Sequence, residues 1–342
     1  MPNARVGSRA MSLVILALGG GMAACGTEAP TQPSADATPP PSVSFLTLAS
    51  NTWTPKAAYP VQDVHGFSVG VVPNSAGQPI LYAFGGTDGS GGSGFWTLAY
   101  NAATNAWTRK NTTVDVRNSN GVVRIKGKLY FSGGYIVNES SVQASTWAYD
   151  PRTDQLTRKA DMPKYTADGV SGMINDRMYV LPGICSTVGW PFAGYCDHEP
   201  FQRLFLYDPA TNVWVSKKSA PHYHRGGAGG VINGKFYVVG GFNGFQPVAY
   251  LDVYDPAANS WKTLAPVPSA GRARGAVISG KLYVLCTGPD GTQRRTYAYN
   301  PVTNTWATKA VPPSPGEVAR VDLDGGPYLL SVSSVASGLY KP

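Results

Sequence analysis

Along the chain, short apolar runs alternate with turn residues, and no stretch sustains an apolar stripe at the 3.6-residue spacing of a helix. Runs such as Tyr82-Ala83-Phe84, Tyr130-Phe131 and Tyr237-Val238-Val239 end in a small pair, Gly85-Gly86, Gly133-Gly134 and Gly240-Gly241. Tyr179-Val180-Leu181-Pro182-Gly183 and Tyr283-Val284-Leu285-Cys286-Thr287 are weaker copies. With 40 Gly and 28 Pro in 342 residues, the punctuation predicts β-strands joined by tight turns and an all-β fold. At 43% apolar, 11% aromatic and only 14% charged, the chain is not a disordered solvating polymer. It is long enough for one large β domain with a sizeable core.

Five segments repeat one turn: Tyr100-Asn101-Ala102-Ala103-Thr104-Asn105-Ala106-Trp107, and its counterparts Tyr149–Leu156, Tyr207–Trp214, Tyr254–Trp261 and Tyr299–Trp306. Pro presets φ and Asn tolerates the left-handed region, so each segment reads as a strand end, a turn and a new strand. The closing residues 107, 156, 214, 261 and 306 lie 49, 58, 47 and 45 apart. A double Gly, then Tyr-Asp-Pro, then Trp, at a period of about 50, resembles the kelch repeat, which implies four-stranded blades of a β-propeller. The glycines are then expected to answer crowding near the propeller axis, and the Tyr and Trp to fill the wedges between blades.

The termini predict how the ring closes. The chain stops at Tyr340-Lys341-Pro342, the first half of the turn, and Ser50-Asn51-Thr52-Trp53 supplies the other half. The N-terminal segment therefore reads as the outer strand of the last blade. This predicts six blades over residues 44–342 and no free radial edge.

Residues 1–24 carry Arg5 and Arg9, an apolar run from Met11 to Leu18 and a small-residue end, the pattern of an export signal. The run is too short to span a membrane, which takes about 20 residues. Met22-Ala23-Ala24-Cys25 resembles the lipobox of bacterial lipoproteins, which implies lipidation at Cys25; the alternative is an ordinary secretory cut near Ala24. Residues 25–43 are rich in Pro, Thr and Ala and read as a tether. The expected location is outside the cytoplasm, lipid-anchored to a bacterial membrane. Cys185 and Cys196 bracket the longest insertion, Ile184–Arg203, and an exported chain permits a disulfide between them; two free thiols are the other possibility. Cys286 stands at a Gly-pair position and reads as a small buried residue.

The formal charge of +8 falls to +6 once Arg5 and Arg9 leave with the signal. Lys56, Arg109, Lys110, Arg158, Lys159, Lys217, Lys218, Lys262 and Lys309 follow the outer-strand aromatic of successive repeats. That spreads them around a rim, where Lys blocks edge-to-edge pairing, and it forms no stripe along which a nucleic-acid backbone would lie. No nucleic-acid partner is expected. His222-Tyr223-His224 puts two imidazoles on one side of an extended segment with no Cys or carboxylate at ligand spacing, so both read as surface or loop histidines. The copper oxidases that share the fold need a Tyr cross-linked to Cys, a second Tyr and two His, and no such set maps onto this chain. Nucleotide loops and the nucleophile elbow are missing from the sequence. Neither a metal nor a cofactor is expected.

In kelch propellers the segments entering the innermost strands share a face with the loops after the Gly pairs. Aligning the inner strands on their hairpin turns places His65, Asn118, Asp168, Arg225, Arg272 and Glu317 at the channel mouth, with Arg274 on the same face and an alignment slip in blade 1. Loops carrying Tyr135, Trp190, Phe192, Tyr195, Phe242 and Phe245 surround them. Aromatic residues beside Arg, Asp and His suit an acidic or sugar-like ligand or a protein partner. The expected role is a monomeric binding scaffold for a protein or glycan of the cell envelope, held to the membrane by its lipid alone. The alternative implied by the resemblance is a sugar mutarotase of the exported kelch type, with a sialic-acid-like substrate. Glu317 or Asp168 would then act as acid/base and Arg272 would hold the substrate carboxylate. No family catalytic motif maps onto these positions.

Overall fold

The computed structural model describes residues 49–87, 96–136, 141–186, 202–244, 246–288, 293–314, 316–323 and 326–342, within one compact unit that runs from Phe45 to Pro342. Residues 1–48, with Cys25 and the expected signal and tether, lie outside the described residues.

The chain enters on β1 (Thr52–Lys56) and then builds blade 1 from β2 (Ser68–Pro73), β3 (Pro79–Phe84), β4 (Trp96–Asn101) and β5 (Ala106–Thr113). Blade 2 is β6 (Val122–Ile125), β7 (Lys128–Ser132), β8 (Thr146–Asp150) and β9 (Gln155–Lys159). A short β10 (Tyr165–Ala167) precedes blade 3, which is β11 (Val170–Ile174), β12 (Arg177–Leu181), β14 (Phe205–Asp208) and β15 (Val213–Ser216). The intervening β13 (Ile184–Ser186) begins the long insertion and pairs with β10 instead. Blade 4 is β16 (Ala228–Ile232), β17 (Lys235–Val239), β18 (Leu251–Asp255) and β19 (Ser260–Leu264). Blade 5 is β20 (Arg272–Ile278), β21 (Lys281–Thr287), β22 (Arg294–Asn300) and β23 (Thr305–Lys309). Blade 6 is β24 (Glu317–Leu323), β25 (Gly326–Val332) and β26 (Ser337–Lys341), with β1 as its outer strand. The inner strands touch in the order β2, β6, β11, β16, β20, β24 and back to β2, so the six blades close a ring as the sequence predicts. In the closing sheet Trp53 stands opposite Tyr340.

One side-chain clamp recurs at every blade junction. The fully buried Tyr100, Tyr149, Tyr207, Tyr254, Tyr299 and Tyr340 donate to Asn105, Asp154, Asn212, Asn259, Asn304 and Asn51 at 2.7–2.9 Å. These six acceptors all hold φ between 46° and 57°, the left-handed region that Asn and Asp tolerate best. The same oxygens, or the second carboxylate oxygen of Asp154, accept a backbone N–H from the preceding blade at 2.8–3.2 Å. Trp53, Trp107, Trp214, Trp261 and Trp306 add an indole N–H to a carbonyl of that blade at 2.8–3.2 Å. Blade 2 carries Leu156 where the others have Trp, and Asp154 there draws in the Thr112 hydroxyl at 2.9 Å.

The glycines divide into two groups with different causes. Inner-strand Gly70, Gly172 and Gly230 lie where a Cβ would strike Val122, Phe236 and Val277 of the next blade, the axial crowding the sequence suggests. The Gly pairs answer a different demand. Gly85, Gly86, Gly133, Gly134, Gly240 and Gly241 all have positive φ, and Gly86, Gly134 and Gly241 donate N–H bonds to Val116, Thr166 and Gly271 of the next blade's entry segment. The pair thus turns the chain against its neighbour rather than against the axis.

Candidate functional site

In four blades the entry segment pairs with the residue just past a Gly pair: His65 with Thr87, Arg117 with Tyr135, Ala167 with Ile184 and Arg225 with Phe242. In blade 5 Arg272 pairs with Thr287, the second residue at the pair position. In blade 6 Glu317 pairs with Val332. The expected residues therefore fall on two registers: His65 and Arg225, with Arg117, pair with the residue past the Gly pair, while Asn118, Asp168, Arg272 and Glu317 stand one residue further in. Arg117 therefore belongs to the mouth, and the sequence alignment misses it. The signal was available: Asn118 and Asp168 take positive φ of 48° and 53°, as Gly66 and Gly226 do at 70° and 64°. Aligning turn-prone residues with glycines would have given the register.

Those inner positions form a belt of backbone bonds between blades. Asn118 donates to Gly66, Asp168 to Asn118, Gly226 to Asp168 and Ala273 to Gly226, at 2.6–2.9 Å. Side chains at the mouth are therefore held on a rigid rim.

The charged residues come together in two groups. Asp168, with its side chain 3% exposed, lies between Arg225 and Arg272 at 3.4 and 3.7 Å. Arg274 Nε meets both oxygens of Glu317 at 2.8 and 2.7 Å, and its Nη1 reaches the Ala273 carbonyl at 3.0 Å. Burial opposes the charge on Arg274, but Glu317 outweighs it and the net effect raises the guanidinium pKa. Arg117 packs its guanidinium 5.3 Å from the Tyr135 ring centre. Burial raises the Tyr135 hydroxyl pKa and Asp168 adds to that rise, while Arg225, Arg117 and Arg272 pull the other way, so one local field joins all four. Among the described residues, four arginines face two carboxylates there, an excess of two positive charges.

An axial cavity of about 350 Å³ is lined by Asn118, Asp168, Arg274 and Glu317 among other residues of the inner strands, Arg320 included. A second, of about 320 Å³, lies between blades 5, 6 and 1 and brings His65 beside Arg272, Arg274 and Glu317. His65 is exposed, and its Nδ1 lies 3.2 Å from the Asp63 carbonyl. Phe242 stands beside Arg225 on the same rim. Trp190, Phe192, Tyr195, Phe245 and Cys196 lie outside the described residues, so the expected aromatic loop of blade 3 and the Cys185–Cys196 bridge do too.

His222 and His224 depart from expectation. Both converge on Asp252, a fully buried carboxylate 28 residues or more along the chain. His222 Nδ1 lies 3.0 Å and His224 Nε2 3.1 Å from Asp252 Oδ2, and the Thr263 hydroxyl donates to Oδ1 at 2.8 Å. His224 is itself buried, with Nδ1 3.0 Å from the Gly240 carbonyl. His222 stacks on Tyr250 with ring centres 3.6 Å apart. Asp252 stands in β18, where a sequence pattern shows only an ordinary strand position, so nothing linked it to the histidines. Among the described residues no group of three or more His, Cys, Asp or Glu side chains is arranged to hold a metal ion. Cys286 is buried with a free thiol, its pKa pushed up to about 12 by burial.

Two of the blades match a known repeat motif. The Kelch motif profile matches residues 117–163 and 225–268, which hold blade 2 and blade 4 with their entry segments. The chain carries kelch motifs in a six-bladed propeller. Kelch-like protein 23 of Pongo abelii is 28% identical over 142 residues, 42% of this chain and 24% of that one. Beta-scruin of Limulus polyphemus is 26% identical over 172 residues, 48% of this chain and 18% of that one. The chain thus spans about a quarter or less of the length of these relatives. The solved structure of YjhT matches with a TM-score of 0.62 over 83% of this chain and 99% of that chain; at 15% identity the likeness shows the fold alone. A kelch propeller is a typical scaffold for binding other proteins.

Proposed function

We propose that this kelch propeller is exported, anchored by lipid at Cys25, and binds an acidic partner at its mouth, a protein or a glycan of the cell envelope. The observation that carries the binding role is Arg272. Its side chain is 43% exposed at the rim, its nearest carboxylate is 3.7 Å away, and the site holds more guanidinium than carboxylate. An anionic group arriving there meets donors already positioned on a rigid belt. The carboxylates are less suited to acid/base work, because Glu317 is gripped by Arg274 and Asp168 lies between two arginines. This favours binding over the mutarotase alternative.

Export and anchoring rest on the leader pattern and on Cys25 at its end.

The test pairs wild type with Arg272→Ala on a glycan array and in cross-linking to envelope proteins, with sugar anomerisation followed by NMR in parallel. Loss of an acidic partner in the variant, with unchanged thermal stability and no anomerisation by either protein, is the expected result. Catalysed anomerisation that Glu317→Gln abolishes would replace this reading with the enzymatic one. Labelled palmitate should enter wild type and not Cys25→Ser.

A further inference from the structure

We propose that the mouth selects an acidic ligand carrying a hydroxyl beside its anionic group, and that Asp168 is the residue that selects for it. The inference rests on the binding role just proposed and deepens it. Asp168 lines the axial cavity, and its backbone is fixed on both sides, donating to Asn118 at 2.9 Å and accepting from Gly226 at 2.8 Å. Its Oδ2 accepts from Arg225 Nε at 3.4 Å. Its Oδ1 is buried and receives no hydrogen bond among the described residues. Arg272 Nη1, at 3.7 Å, is near enough for charge attraction but not for a hydrogen bond. A buried acceptor left without a donor is costly, and such groups are rare in native proteins. Arg117 Nε, on the neighbouring blade, is likewise buried without an acceptor among the described residues.

The mouth therefore offers three things at once: guanidinium donors for an anion, one acceptor that lacks a donor, and one donor that lacks an acceptor. A plain carboxylate satisfies the arginines but turns lone pairs toward Asp168. An ammonium group would satisfy Asp168 but faces the excess of two positive charges. A hydroxyl donates a hydrogen bond to Asp168 and still accepts one from a guanidinium, at no cost in charge. That combination belongs to hydroxy acids, including the acidic sugars of glycans, and not to the Asp and Glu side chains of a protein surface.

Glycerate and propionate have the same charge and three-carbon frame, and differ in their hydroxyls. Titrated into the purified full-length protein by calorimetry or ligand-observed NMR, glycerate is expected to bind at least about tenfold more tightly, because a site built for a hydroxyl rejects the analogue without it. In Asp168→Asn the amide oxygen can stay on Arg225, which leaves the amide nitrogen in the place of Oδ1 and turns an acceptor into a donor. The ratio of the two affinities should then collapse to within about threefold, whatever the lost charge does to both acids in common. Equal binding of the two acids to wild type overturns the selection while leaving an acidic partner at Arg272 intact. Binding of neither acid overturns it as well. If Asp168→Asn weakens both acids alike and lowers the melting temperature, Asp168 only braces the arginines. Should that variant fail to fold, the wild-type comparison still decides.

Discussion

The Tyr340 hydroxyl donates to Asn51 Oδ1 at 2.9 Å across 289 positions of sequence, reproducing at the ring closure the bond that Tyr100 makes to Asn105 within one turn. Asn51 also accepts the Ala310 N–H at 3.1 Å, and it holds φ at 57°. Replacing it with Ala removes two hydrogen bonds and puts a less tolerant residue in the left-handed region. Asn51→Ala should destabilise the domain by about 3–4 kcal/mol, combining about 1 kcal/mol for each of the two bonds with about 1–2 kcal/mol of backbone strain. Asn105→Ala should cost a similar amount. Urea melts of the two variants test whether the non-covalent closure is as strong as a covalently continuous turn. A closure variant that costs much less would mean β1 frays independently of the ring.

Blade 2 uses a carboxylate where the other blades use an amide. Burial tends to raise the Asp154 pKa, but the Asn111 N–H and the hydroxyls of Tyr149 and Thr112 hold it below the usual carboxylate range. A depressed folded-state pKa stabilises the fold fully above the unfolded value of about 3.9, and that contribution is lost as pH falls through the folded value. Asp154→Asn keeps the oxygen and removes the titration. The variant should therefore be closest to wild type, or overtake it, in acid, and lag behind it at neutral pH. Melting curves between pH 2.5 and pH 7, chosen as about the limits of that window, check the sign. A constant gap across the range would remove Asp154 from the acid response.

The fold was legible because a repeat writes the same physical demand several times over. Six Tyr residues facing an αL Asn or Asp, five of them followed by Trp, leave little freedom in register, and the split turn at Asn51 and Tyr340 disclosed the closure. The mouth was only partly legible. Its charged residues sit where scaffold demands are weakest, so hairpin alignment mixed two neighbouring registers and passed over Arg117. The Gly pairs were found in sequence but assigned the wrong cause, since positive φ and a neighbouring blade's backbone leave no trace beyond the glycine itself. Asp252 was invisible for a different reason. A buried carboxylate is recognised by its partners, and those lie in another segment, at His222, His224 and Thr263.

Asp252 anchors the entry segment of blade 4 to strands β18 and β19. Burial works against its charge, while His224, Thr263 and His222 hold its pKa below the usual range. Asp252→Ala strips two buried or half-buried imidazoles and one hydroxyl of their common acceptor. Removing one side of such a buried network costs on the order of 3 kcal/mol. Arg225 follows His224 directly, so the damage should also reach the mouth. The expected result is a lower melting temperature together with weaker acidic-ligand binding, and His222→Gln, at the half-exposed end, should do much less. A fully stable Asp252→Ala variant would show that the histidines find other partners.

The two charge groups at the mouth should separate into a structural pair and a ligand-facing arginine. Arg274 is the more enclosed, with its side chain 24% exposed against 43% for Arg272, and Nε contacts both oxygens of a Glu317 that is itself 19% exposed. Glu317→Gln leaves that guanidinium without a counter-charge in a crowded site and should destabilise the fold by about 1–3 kcal/mol, the range for a hydrogen bond to a charged group. Arg272 has no hydrogen bond to Asp168 at 3.7 Å and sits on the open rim, so Arg272→Ala should change stability by less than about 0.5 kcal/mol, as for a surface ion pair. Thermal melts give the first contrast and glycerate titration the second. Glu317→Gln should bind in proportion to the fraction that remains folded, whereas Arg272→Ala should be fully folded and still lose binding. If Arg272→Ala melts as early as Glu317→Gln, the arginine is a brace for Asp168 and the ligand must be held by Arg117 and Arg225 instead.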